Sequence, residues 1–209
     1  MTLQNRVTPL GDIVAVPERG MFTGNRGILH DPRTRTLLTR RWTSAAWLIC
    51  LLERDGVRRT VMGPGSWTEL FFLDEATALA AGHRPCFFCR RAAARDFQAK
   101  FPTAAGRPSP KAGEVDQVLH AQRLASGKKR LHPVTTPAAD LPDGAMVLQA
   151  GAPHLVVGGQ ALPWSPGGYA APTALLAAAQ LITPPATVAV LRAGYRAQLH
   201  PTAALYRQP

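Results

Sequence analysis

DEATALAAGHRPCFFCRR, residues 74–91, decides how the chain is read. Asp74 is a helix N-cap, and Glu75 sits in the first turn, where the helix dipole favours an anion. Ala76–Ala81 is a strong helix former, and Gly82 is placed as the C′ residue that stops it. Beyond that stop, Cys86 and Cys89 form a C-x-x-C, which sets two thiolates on one tight turn, close enough to share a tetrahedral ion. Arg84, Arg90 and Arg91 surround the pair and favour the thiolate form.

Upstream, AAWLICLL (45–52) is a continuous apolar run that predicts a buried strand. The turn Arg54-Asp55-Gly56 follows, Val57–Met62 reads as the return strand of a hairpin, and Trp67–Leu73 reads as a third strand after Gly63-Pro64-Gly65. A short strand is expected at Asp12–Val16. Downstream, a second helix is expected over Ala92–Phe101. Residues 102–112 (PTAAGRPSPKA) are a Pro/Gly/Ser-rich linker, and a helix over about 114–124 carries Val115, Val118 and Leu119 on one face. The last third shows short strands at 145–149, 154–157 and 160–164, then a helix between Pro184-Pro185 and Gly194. The expected fold is α+β: a small antiparallel sheet with short helices around a CxxC metal knuckle (residues 1–101), and a C-terminal β-rich portion (residues 113–209) able to pack with it as one unit. The 19 prolines and 18 glycines among 209 residues argue against a helical bundle.

Residues 74–91 resemble the end of the metal-binding domain of Ada-type DNA repair proteins. That family shows a capped helix, an alanine-glycine stop, an aromatic residue, then Arg-Pro-Cys-x-x-Cys and basic residues. The resemblance covers about eighteen residues and implies a zinc ion, Cys86 and Cys89 as ligands, and docking on a DNA backbone. His83 stands where the family has an aromatic. The family's first cysteine pair, which holds the methyl acceptor, has no counterpart here, so that activity does not carry over. The missing ligands must come from His30, Cys50 or His83. His30 is attractive because Asp31 can orient its ring, and His30 and Cys50 are both preferred to His83. Cys50 in an apolar strand also reads as an inert buried thiol; the pair by itself also reads as two core cysteines, or as a redox dithiol, although a redox pair usually follows a strand in a βαβ pattern and here a helix precedes it.

The 24 Lys and Arg against 13 Asp and Glu give +11, mostly from arginine, whose planar fork suits phosphate. Nucleic acid is therefore the expected partner, DNA by the resemblance, with Arg26, Arg33, Arg35, Arg40, Arg41, Arg84, Arg90 and Arg91 as contacts. A basic adaptor for an acidic protein is the non-enzymatic alternative. A hydrolase acting on nucleic acid is the other, with Glu69 or Asp31 as its acid-base group. A zinc deaminase would need a His or Cys two residues before a glutamate; Cys50 and Glu53 are three apart. The opening residues hold no long apolar segment, and a cytoplasmic location is expected.

Overall fold

The computed structural model describes residues 2–53, 60–104, 108–137 and 140–206. The turn 54–56 and the first half of the expected return strand Val57–Met62 lie outside them; its described half, 60–62, forms no strand.

The first sheet has six short strands in the order Ile13–Val14, Arg6–Val7, Leu70–Phe72, Phe22–Asn25, Leu48–Cys50, Arg84–Pro85. It is mixed, not antiparallel as expected. Arg6–Val7 runs parallel to Leu70–Phe72, and Leu48–Cys50 runs parallel to Arg84–Pro85. A parallel pair needs a crossover. The segment from Cys50 to Arg84 supplies one, passing through the Leu70–Phe72 strand and helix α1 (Glu75–Ala80). Phe22–Asn25 occupies the middle of the sheet. Gly24 is needed there because a Cβ would lie 2.0 Å from the Leu48 carbonyl oxygen.

Helix α1 is capped as its sequence implies: Asp74 accepts the Thr77 N–H at 2.8 Å. All six of its residues are buried. Gly82 ends it at φ +94°, and an added Cβ would meet Arg123 Cδ at 2.5 Å. Gly82→Ala combines a left-handed φ with that clash. It is expected to cost roughly 1–3 kcal/mol, read as a lower melting temperature; an unchanged melting temperature would contradict this account of the stop.

Helices α2 (Arg91–Ala99) and α3 (Ala112–Arg123) follow. The second six-stranded sheet is antiparallel throughout, in the order His132–Pro133, Gln180–Leu181, Met146–Gln149, Ala152–Val157, Gln160–Ser165, Gly168–Tyr169. Helices α4 (Pro185–Arg192) and α5 (Pro201–Ala204) close the chain. One apolar cluster joins Leu70 and Phe72 of the first sheet, Phe97 of α2, Leu119 of α3 and Val147 and Leu181 of the second sheet. Polar bonds reinforce it. Asp74 accepts Tyr169 Oη at 2.9 Å, and Glu75 accepts Tyr195 Oη at 2.6 Å and the Gln198 N–H at 2.9 Å. The start of α1 is thus fastened to the C-terminal third of the chain. Among the described residues no helix is long and apolar enough to cross a membrane.

Candidate metal centre and cationic cleft

The parallel pairing of Leu48–Cys50 with Arg84–Pro85 builds the cysteine site. Ile49 is in register with Pro85, and the Cys86 N–H donates to the Ile49 carbonyl at 3.0 Å. Cys50 and Cys86 therefore leave adjacent strands side by side. The chain then turns, with the Arg90 N–H on the Cys86 carbonyl at 2.9 Å, and returns Cys89 to the same place. The three Sγ atoms lie within 4.8 Å of one another.

The donor set fits a soft or borderline metal ion. Three sulfurs converge, and tetrahedral ligands at about 2.3 Å from zinc would stand a little under 4 Å apart. Backbone amides point at the sulfurs: Phe88 N–H donates to Cys86 Sγ at 3.4 Å, and Leu51 N–H reaches Cys89 Sγ. Such donors favour thiolate over thiol. Within the trio, hydrogen bonds from Cys50 and then Cys89 lower the Cys86 thiol. Cys50 is pushed up in turn, first by its bond to Cys86 and then by that to Cys89.

His30 is not in this cluster. Its Nδ1 lies 2.6 Å from Thr68 Oγ1 and its Nε2 3.1 Å from the Gly63 carbonyl, so both ring nitrogens are engaged in holding the 63–68 loop. His83 is also elsewhere, fully buried. Its Nδ1 faces the Ala78 carbonyl at 3.3 Å, and its Nε2 accepts from Arg26 Nε at 3.2 Å. Burial, then the charges of Arg26 and Arg123, hold its pKa well below the usual value, which keeps the ring neutral.

The two carboxylates considered for catalysis serve loops. Glu69 is buried, and it accepts the Met62 N–H at 2.7 Å and the Ser66 hydroxyl at 2.9 Å. Met62 has φ 55°, so Glu69 fastens a left-handed turn. Asp31 accepts the Arg33 N–H at 2.8 Å in a hairpin turn between His30–Asp31 and Thr36–Leu37. That bond holds its carboxyl below the usual carboxylate range.

The arginines divide into two groups. Arg84 forms a bidentate pair with Asp116, both bonds at 2.7 Å, and Arg90 pairs with Glu75 at 2.8 Å; both are buried, so their forks are not offered to a partner. Arg33, Arg35, Arg40, Arg41 and Arg91 are exposed. Arg26 belongs to neither group. It is 2% exposed and lies, with Arg123 and Lys129, along a cleft of about 510 Å³ that sequence reasoning missed. Its parts are scattered over the chain.

Comparison of the chain with protein-family models, with curated proteins and with solved structures finds no match in any of the three.

Proposed function

We propose that this chain is a DNA-binding protein whose fold is fastened by one zinc ion on Cys50, Cys86 and Cys89. The observation that carries the DNA reading is the segment RTRTLLTRR, residues 33–41. It holds four arginines and no acid, all four arginines are exposed, and it leads directly into the cationic cleft at Arg41 and Trp42. Arg33 lies 4.0 Å from Asp31, and among the described residues Arg35, Arg40 and Arg41 have no carboxylate partner, so their forks are open to phosphates. The Ada-type resemblance of residues 74–91 supports DNA as the partner and zinc as the metal.

When bound, zinc would tie the end of the Leu48–Cys50 strand to the turn that starts α2. It would thus hold the strand that follows Trp47 against the Arg84–Pro85 strand. With Glu69 and Asp31 spent on loops, binding without turnover is the reading the geometry supports.

Neutralising Arg33, Arg35, Arg40 and Arg41 together to Gln tests this reading. Affinity for duplex DNA should fall by a similar factor for unrelated sequences, because interactions with phosphate carry no sequence information. The salt slope of log Kd should become shallower by about 0.9 for each phosphate that is no longer neutralised. A fourfold variant that binds DNA as tightly as the native protein would defeat the proposal.

A further inference from the structure

The cleft behind the arginine loop differs from the rest of the protein in how it treats buried charge. Elsewhere a buried arginine meets a carboxylate, as Arg84 meets Asp116 and Arg90 meets Glu75. Here five cations line one space, Arg26, Arg41, Arg123, Lys128 and Lys129, with Asp12 as the lining carboxylate.

The three inner cations rest on neutral groups. Arg26 gives Nη1 to the Gly11 carbonyl at 3.0 Å and Nε to His83. Arg123, 1% exposed, gives Nη1 to the Gly82 carbonyl at 2.9 Å and Nη2 to the Ala45 carbonyl at 2.6 Å. Lys129 gives its ammonium to the Ala80 carbonyl. Two buried donors remain over: Arg26 Nη2 and Arg123 Nε have no hydrogen-bond partner among the described residues. Asp12 acts on Arg26 and Asp116, already paired with Arg84, acts on Arg123, so the three cations are short of counter-charge; with orphaned donors they are costly in a desolvated place unless an anion completes them. Burial first, and then neighbouring positive charge, lowers Arg26 to about 9 and Lys129 to about 7; burial likewise lowers Arg123 to about 9.

The scaffold that holds these charges is aromatic. Both guanidiniums lie 3.9 Å from the Trp47 ring centroid, a cation–π arrangement that fixes them without neutralising them. Trp42 lines the same cleft and is only half-buried; its ring lies 6.1 Å from that of His120, which accepts from Arg123 Nη2 at 2.8 Å. The cleft volume is within the usual range for small-ligand sites, and an accessible indole is a platform for a nucleobase.

We propose that this cleft takes one terminal nucleotide of a DNA strand, its 5′-phosphate on Arg26, Arg123 and Lys129 and its base against Trp42. The site rests on the DNA-binding reading for the source of the nucleotide. The chemistry recognised, a phosphate monoester beside a base, is shared with a free mononucleotide, so the test separates the two.

The experiment is an anisotropy titration of the zinc-loaded protein with a single-stranded 12-mer, fluorescent at its 3′ end, with and without a 5′-phosphate. The phosphorylated strand should bind about tenfold tighter, the worth of a charge-assisted hydrogen bond. Lys129→Met and Trp42→Ala, shown by circular dichroism to be folded, should each remove most of that difference. Equal affinity for the two strands would overturn the terminal site and leave general DNA binding standing. Tight binding of deoxyadenosine monophosphate, with neither strand bound, would overturn the strand-end assignment and make the cleft a mononucleotide site; the duplex-DNA reading stands or falls by its own titration. Binding of none of the three would overturn the cleft as a nucleotide site.

Discussion

Cys50→Ser, Cys86→Ser and Cys89→Ser are each expected to abolish metal binding and to unfold the segment around the turn. The native protein, purified without added metal, should carry one zinc per chain by elemental analysis, and each variant almost none. The three sulfurs lie within 4.8 Å of one another, so removing any one breaks the same constellation. Structural zinc contributes roughly 10–16 kcal/mol in small domains, comparable with the whole stability of about 5–15 kcal/mol of a typical folded protein. Hydrogen-exchange protection should disappear first in Leu48–Cys50, Arg84–Pro85 and α2, which meet at the site. X-ray absorption on the native protein should show three sulfur neighbours at about 2.3 Å. A Cys50→Ser variant that keeps its zinc and its melting temperature would remove Cys50 from the ligand set and return the site to a two-cysteine knuckle.

The second large effect is expected at Glu75. This carboxylate is fully buried and receives Arg90 at 2.8 Å, Tyr195 Oη at 2.6 Å and the Gln198 N–H at 2.9 Å. Burial, followed by the Glu75 charge, pushes the Tyr195 phenol up, so the tyrosine remains a donor. Glu75→Ala strands Arg90 in the interior and releases the C-terminal segment. Breaking a buried pair by removing one partner costs about 3–5 kcal/mol, a fall on the order of 10 °C in melting temperature for a chain of this size. Replacing Arg90 as well should cost less than the sum of the two single replacements, because the stranded charge is gone. A fall of only a degree or two in Glu75→Ala would show that this network is not what joins α1 to the C-terminal third.

Glu75 also marks the limit of what the sequence discloses. The local part of its role is legible: an acid following an N-cap aspartate at the start of an alanine-rich helix, with a glycine stop at Gly82. Cap and stop depend on neighbours a few residues away, and both are found in the structure. The ion pair is not legible, because Arg90 reaches it only after the chain has turned through the cysteine knuckle. For the same reason Arg84 and Arg90 read as phosphate-binding from their sequence neighbours, when Asp116 and Glu75 bury them. The sheet misled similarly. Short apolar runs and glycine turns suggest hairpins, and only the long excursion from Cys50 to Arg84 permits the parallel pairing. That pairing decides the third sulfur: His30 has the more polar surroundings, but the register of Ile49 with Pro85 brings Cys50 to Cys86. The cleft escaped notice altogether, since Arg26, Trp47 and Arg123 are gathered from distant parts of the chain.

The central claim is that a zinc-fastened fold presents an acid-free arginine loop to DNA, and the salt dependence of binding tests it most directly. The zinc-loaded protein is titrated with duplex DNA of arbitrary sequence from low to physiological ionic strength. Four loop arginines at −0.9 per phosphate predict a log–log slope of about −3.6 or steeper. Affinity that does not change with salt, or no binding even at low salt, would contradict the account.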